Sequence, residues 1–154
     1  MDMEARKTLS EYQFRQRGSP FYENGFGLVG DQKERFLTLK SQIHAKFQSL
    51  NKCKAETRKV LRSIGQRAIE IQKLIEVGNS RMAKHDKVSV KAVFKNCFGR
   101  RSSRIYEAIA ICRAIAEGLP KSKPTTTLIR VGEKLGNPKV ADKMKKVISS
   151  NYIQ

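Results

Sequence analysis

The sequence predicts an all-α protein: a helical bundle with a long amphipathic helix or helical hairpin, followed by a helix-turn-helix-like pair and a C-terminal helical hairpin. Three observations predict it. From Asp31 to Val77 there is no proline and the only glycine is Gly65, while apolar residues recur in steps of three and four. Turn-forming residues then cluster at Gly78-Asn79-Ser80, Gly118-Leu119-Pro120 and Gly136-Asn137-Pro138, cutting the remainder into helix-length pieces. No segment alternates convincingly as a strand, and no internal repeat is apparent.

Residues 1–30 read as a flexible arm rich in glycine and aromatics, and residues 31–154 as a single helical domain. Within the arm a short helix is expected from Ser10 or before to about Arg17, followed by the loop GSPFYENGFGLVG. Gly25, Gly27 and Gly30 spell GxGxxG, but a dinucleotide site needs a β-strand before the first glycine, and here Pro20 and Asn24 precede it. The better reading is an arm that folds onto the body through Phe21, Tyr22 and Phe26. Arg15 and Arg17 beside those aromatics could also touch nucleic acid by charge and stacking.

The long amphipathic region, 31–78, carries its stripe at Phe36, Leu39, Ile43, Phe47, Leu50, Cys53, Val60 or Leu61, Ile64, Ala68, Ile71 and Ile75. A single helix of about 45 residues would be roughly 70 Å long. Such a helix implies an extended shape or a homodimer assembled through the stripe from Phe36 to Ile75. Asn51 can end one helix or cap the next, which favours two helices hinged near Asn51-Lys52. The outer face carries Lys40, Lys46, Lys52, Lys54, Arg58, Lys59, Arg62 and Arg67.

The segment 79–118 reads as two helices broken at Gly99. Ser89 suits the N-cap of the first, with Val90, Val93, Phe94 and Cys97 on one side; Gly99 suits a C-cap or tight turn. Ser102 or Ser103 can cap the second helix, whose expected buried side is Ile105, Ala108, Ile109, Ile111 and Cys112. Around the break stand Lys84, Lys87, Lys91, Lys95, Arg100, Arg101 and Arg104, opposed only by Asp86 and Glu107. In 119–154, residues 125–135 form one helix and 138–149 another, with Gly136 ending the first and Asn137 capping the second. That last helix is expected to bury Val140, Met144, Val147 and Ile148 and to expose Lys139, Lys143, Lys145 and Lys146.

The 32 Lys and Arg against 14 Asp and Glu give a net charge of +18. That excess favours a polyanionic partner: DNA, RNA, an acidic protein surface or anionic lipid, with nucleic acid first. No apolar run approaches the ~18 residues that span a bilayer, so a membrane is not the expected partner. The cysteines Cys53, Cys97 and Cys112 are widely spaced on apolar helix faces, as reduced thiols of an intracellular protein are. Cytoplasm is the expected compartment, although a nuclear or virus-associated protein would look the same.

An enzyme is not expected, and no catalytic residue, metal ligand or cofactor is assigned. His44 and His85 are the only histidines; no two cysteines have the spacing of a zinc site; and acidic residues lack the pairing that holds Mg²⁺. Among enzymes only a metal-independent nuclease, built on a tyrosine or a lone histidine, would fit.

The pattern over about 89–116 resembles the small helix-turn-helix DNA-binding proteins of phages and plasmids. Phe94, Phe98, Gly99 and Ile105 fit its apolar and turn positions, and Ala108 fits acceptably. Lys95 stands where a small residue is usual and Arg100 where an apolar one is, and lysine is a poor fit where two helices touch. The resemblance implies binding of duplex DNA, with Lys84, Lys87, Lys91, Lys95, Arg100, Arg101, Ser102, Ser103 and Arg104 as the contacting residues. RNA binding is the close alternative. A phage or viral inhibitor or adaptor docking its basic surface on an acidic protein is the alternative from another class, and a plain helical hairpin with a solvated basic face is the bland one.

Overall fold

The computed structural model describes Arg6, residues 17–50 and residues 54–151. The helices are α1 (Ser19–Glu23), α2 (Gly30–Gln48), α3 (Lys54–Asn79), α4 (Val90–Phe98), α5 (Ser102–Ala116), α6 (Thr125–Leu135) and α7 (Ala141–Asn151). Two 3₁₀ turns, Lys84–Asp86 and Gly99–Arg101, flank α4. The described residues include no strand, only an isolated bridge between Arg6 and Leu28, so the fold is all-α, as its periodicity requires. The helix expected before Arg17, with Arg15, the hinge residues Asn51 and Lys52, Cys53 and the last three residues lie outside the described residues.

The long amphipathic region is two helices. α2 closes in a turn in which the Ser49 hydroxyl and amide both donate to Lys46 O, at 2.8 and 3.1 Å. A serine that competes for a backbone carbonyl in this way ends a helix rather than extending it.

Chain contacts divide the protein into two compact units, Met1–Ala45 with Arg67–Ser102, and Lys46–Gln66 with Ser103–Gln154. The core of the first contains Phe26, Phe36, Leu39, Ile43, Ala68, Ile71, Ile75, Val93, Phe94 and Phe98, all buried. Its α1 ends in a Schellman motif: Gly25, at φ +104°, donates to Tyr22 O, and Phe26 N–H reaches back to Phe21 O at 2.8 Å. Phe26 is thereby driven into the core, edge-on to Phe36 with centroids 5.1 Å apart. The GxGxxG glycines thus serve backbone geometry, since Gly25, Gly27 and Gly30 all have positive φ.

Arg6 holds this unit together. Its guanidinium is buried, with Nε donating to Phe26 O at 2.8 Å, Nη1 to Asn79 Oδ1 at 3.0 Å, and Nη2 to Asp86 O. Asn79 completes the bracket: Val88 N–H donates to its Oδ1 at 3.0 Å, and its Nδ2 donates to Val88 O at 2.8 Å. Burial pushes the Arg6 pKa down to about 10, with Arg17 adding to the shift and Asp86 opposing it. The side chain is therefore still a cation at neutral pH, and its donors must all be used.

In the second unit α5 is the central helix. Ile105, Ala108, Ile109, Ala110, Ile111 and Ala114 are buried, and at 100° per residue they surround most of its circumference. Two glycines allow its neighbours to approach. A Cβ on Gly65 of α3 would lie 2.3 Å from Ala108 O, and one on Gly132 of α6 would lie 1.8 Å from Ala110 O. Cys112 Sγ, 3.2 Å from Arg62 O, occupies the same crossing as Gly65. α5 ends in a second Schellman motif, with Gly118 at φ +119° donating to Ile115 O and buried Leu119 to Ala114 O.

The last helix begins at Ala141, three residues later than expected, after a turn over 138–140 that Asn137 caps: Lys139 N–H donates to its Oδ1 at 3.0 Å, and Ala141 N–H to its carbonyl at 2.9 Å. Of the four apolar residues expected to be buried on α7 only Ile148 is; Val147 is 38% exposed, and Val140 and Met144 are half-buried. Periodicity identifies an apolar face but not whether the chain covers it.

The stripe from Phe36 to Ile75 is core. Phe36, Leu39, Ile43, Phe47, Leu61, Ile64, Ala68, Ile71 and Ile75 are all buried within one chain. Leu50 is half-buried and Cys53 lies outside the described residues, so the homodimer seam expected along this stripe is mostly covered already and has little apolar area left to give to a second copy.

Two consequences are measurable. Ile43→Asp and Ile64→Asp should each unfold the chain instead of releasing a folded monomer. Burying an unpaired carboxylate costs several kcal/mol against a total stability of ~5–15 kcal/mol. Circular dichroism with light scattering reads the difference. Arg6→Ala should destabilise by about 1–3 kcal/mol, since Phe26 O loses its donor while Asn79 Oδ1 keeps Val88 N–H and Asp86 O keeps Arg17. A urea midpoint within error of wild type would show that the bracket is dispensable.

Candidate nucleic-acid interface

The basic segment begins where α3 ends. After Asn79 the chain makes the 3₁₀ turn Lys84–Asp86, with Asp86 and Lys87 N–H both donating to Ala83 O, at 2.8 and 3.2 Å. The turn points Asp86 inward, 4% exposed, and leaves Lys84, His85 and Lys87 outside. Arg6 and Arg17 take the Asp86 carbonyl, the latter at 2.5 Å, and Arg17 also donates to Lys87 O at 3.1 Å. Arg17, expected to stand ready for nucleic acid, is thus occupied with backbone; it also lies 5.4 Å from the centre of the Phe21 ring.

Ser89 caps α4, accepting from Ala92 N–H at 3.0 Å. The helix buries Val93, Phe94, Cys97 and Phe98, so Lys91 and Lys95, one turn apart, face outward. Gly99 breaks the helix at φ +56°, its N–H donating to Lys95 O. Winding then resumes at once: Gly99–Arg101 is a 3₁₀ turn, and Ser102 has helical angles, φ −59° and ψ −37°. Ser102 is therefore inside the helix and does not serve as its N-cap, which requires non-helical angles. A helix-turn-helix usually spends three or four residues on its turn; the break here is essentially Gly99 alone.

Arg100, Arg101 and Ser103 are exposed, and Ser102 and Arg104 partly so, with Arg104 Nη1 3.5 Å from Glu107 Oε1. The unit division falls between Ser102 and Ser103. Lys84, Lys87, Lys91, Lys95, Arg100, Arg101 and Ser102 belong to the first unit; Ser103 and Arg104 belong to the second. Beyond its first turn α5 shows solvent mainly Tyr106, 41% exposed, and Arg113. A helix buried on most sides has no free flank that could lie lengthwise in a DNA groove.

The fold adds two residues to this neighbourhood from α2. His44 packs on Phe98, ring centroids 4.9 Å apart, and its pKa is lowered chiefly by burial and further by Arg101 and Lys40. Lys40 donates to Glu23 O at 2.7 Å. Nothing in a single sequence brings positions 40 and 44 to position 101; only the fold of the first unit does.

The described residues include no group of three or more His, Cys, Asp or Glu able to hold a metal ion, and no helix long and apolar enough to cross a membrane. No protein-family model, curated protein or solved structure matches this chain.

Of the two described cysteines, Cys97 is buried and Cys112 half-buried. Burial pushes Cys97 and Cys112 up to about 11, from an ordinary value near 9. A raised pKa means the folded state favours the thiol, so this contribution is whole below pH 9 and is lost as pH climbs towards 11. The wild type should lose urea stability over that window more steeply than a Cys97→Ala/Cys112→Ala variant. Neither thiol should react readily with iodoacetamide in the folded protein at neutral pH; rapid labelling without unfolding would contradict the raised pKa values.

Proposed function

We propose that the protein binds nucleic acid, duplex DNA in preference to RNA, through the cationic segment 84–104. The observation that carries this reading is the direction of one carboxylate. Residues 84–101 contain a single acid, Asp86, and it is turned into the interior, so the charged side chains that the segment exposes, Lys84, Lys87, Lys91, Lys95, Arg100 and Arg101, are all cationic. An exposed cationic run of this kind gains affinity by displacing counterions from phosphates.

In this reading the lysines engage backbone phosphates and the break at Gly99 presents Arg100 and Arg101, with Arg104 one turn on, end-first to base edges. Arginine can donate twice to a guanine, and Ser102 and Ser103 can donate to phosphate. The helix-turn-helix likeness is kept in this narrower form: the first turn of α5 reads bases, and the rest of the helix is core. The same cations would serve an A-form duplex, so RNA is the outcome to be separated by experiment.

Binding to duplex DNA, single-stranded DNA and duplex RNA should be titrated against salt. Engagement of all six cations would give a log–log slope on the order of −5 on duplex DNA. Arg100→Ala/Arg101→Ala/Arg104→Ala should keep the wild-type circular dichroism spectrum yet lose more affinity for a preferred duplex than Lys139→Ala/Lys143→Ala/Lys146→Ala, by ~1–3 kcal/mol for each base contact removed. Equal losses from both triples on every nucleic acid would mean diffuse electrostatics and no reading element. Absence of binding even at low salt would shift the basic surface to an acidic protein partner.

A further inference from the structure

The second unit leaves an open groove of about 420 Å³ between α6 and α7. Its apolar floor is buried Val131 with half-buried Val140 and Met144, and exposed Val147 and the exposed cations Arg130, Lys134 and Lys143 line its rim. On α7 the lining residues fall at i, i+3, i+4 and i+7 from Val140, which is one helical face. Val140 belongs to that face because Met144 N–H donates to its carbonyl at 2.9 Å. Arg130 and Lys134 stand one turn apart on α6. No carboxylate lines the groove, although Glu133 and Asp142 lie on the same two helices.

We infer that this groove is a docking site for an acidic amphipathic helix of a partner protein. Helix-in-groove recognition needs a concave apolar strip that takes anchors spaced three and four apart, and flanks that set the charge of the ligand. Here the floor supplies the strip, with Met144 able to adapt its shape to an anchor, and the three cations select Asp or Glu beside the anchors. The groove lies within the ~300–1,000 Å³ typical of binding clefts.

Other occupants fit less well. A second copy of this chain also carries +18 and would bring cations to a cationic rim. Nucleic acid would satisfy the rim, but the lining contains no aromatic ring for a base to stack on, so the apolar floor would gain nothing. A bilayer takes protruding apolar side chains with cations behind them, whereas here three of the four apolar residues are buried or half-buried and the cations are exposed. The inference stands apart from nucleic-acid binding, which it neither needs nor excludes.

The test uses the full chain and a fluorescent synthetic helical peptide about 16 residues long, ~24 Å. The peptide carries leucines at i, i+4 and i+7 and glutamates on both flanks. Two control peptides replace the leucines with serine or the glutamates with lysine. Fluorescence anisotropy should show saturable binding of the leucine–glutamate peptide alone. Met144→Ser/Val147→Ser, which preserves net charge and alters side chains that are not buried, should weaken it about tenfold or more. Arg130→Ala/Lys134→Ala should weaken it as well, while both variants keep wild-type circular dichroism and the salt slope on duplex DNA.

Three results would overturn the inference. The serine peptide binding as tightly as the leucine peptide would reduce the effect to diffuse charge. No binding of the leucine peptide at concentrations up to ~0.2 mM would leave the groove without the proposed ligand. Phosphatidylserine vesicles, captured by the wild type and not by Met144→Ser/Val147→Ser while the peptide is ignored, would assign the groove to lipid.

Discussion

The guanidinium of Arg6 donates to acceptors 20, 73 and 80 residues away, and each belongs to a different piece of the first unit. Phe26 O lies in the glycine loop, Asn79 Oδ1 at the end of α3, and Asp86 O in the turn that leads to α4. A buried cation is costly unless every donor is satisfied, and the cost is what makes the arrangement specific. Only when all three pieces are in place does the arginine have partners. The same turn that offers Asp86 O also directs the Asp86 side chain inward. The wholly cationic exterior of 84–101 is therefore a consequence of how the interior is braced, so the charge of the outer surface and the packing beneath it have one origin.

The second unit depends on a different constraint, close approach of backbones. Gly65 and Gly132 each face a carbonyl of α5 at a distance no side chain could tolerate. Alanines at 108, 110 and 114 extend the same economy along the central helix. Helices that meet through small residues bury backbone as well as side chain, and the result is a rigid helix enclosed on most sides. Such a helix can offer its end to a partner but not its flank. The interior positions of the helix are committed to packing, so only the narrower form of the proposed recognition, with contacts from the start of α5, is compatible with its burial.

Much of the fold was legible because its signals are periodic or local. The apolar steps from Phe36 to Ile75 reappear as buried residues except for half-buried Leu50 and the undescribed Cys53, and the ambiguous choice between Val60 and Leu61 resolves to Leu61. Ser89 and Asn137 cap as their chemistry predicts, and Gly99 takes its positive φ. What escaped has physical reasons. Arg6 is one cation in a polar stretch, and nothing periodic marks a buried arginine. Ala110 and Ala114 are compatible with either side of a helix, so α5 could be read as half-exposed when its alanine side is buried as well. Ser102 suits a cap chemically, but the 3₁₀ turn begins the helical winding three residues earlier. The spatial association of Lys40 and His44 with Arg101 is tertiary and leaves no trace in spacing.

The two units use an excess of lysine and arginine in ways that favour different ligands. In the first, the exposed cations of 84–101 lie in or beside two 3₁₀ turns and on α4, whose apolar Val93, Phe94, Cys97 and Phe98 are buried, so a partner can gain from charge and hydrogen bonds more than from apolar contact. A phosphate backbone has that chemistry: dense charge, little apolar surface, and affinity governed by released counterions. In the second, Arg130, Lys134 and Lys143 border uncovered Val140, Met144 and Val147. A partner there gains from both kinds of contact only if it presents apolar side chains between carboxylates. Net charge alone draws polyanions to any basic chain. Whether apolar surface lies open beside the cations is what separates a surface suited to nucleic acid from one suited to an acidic helix.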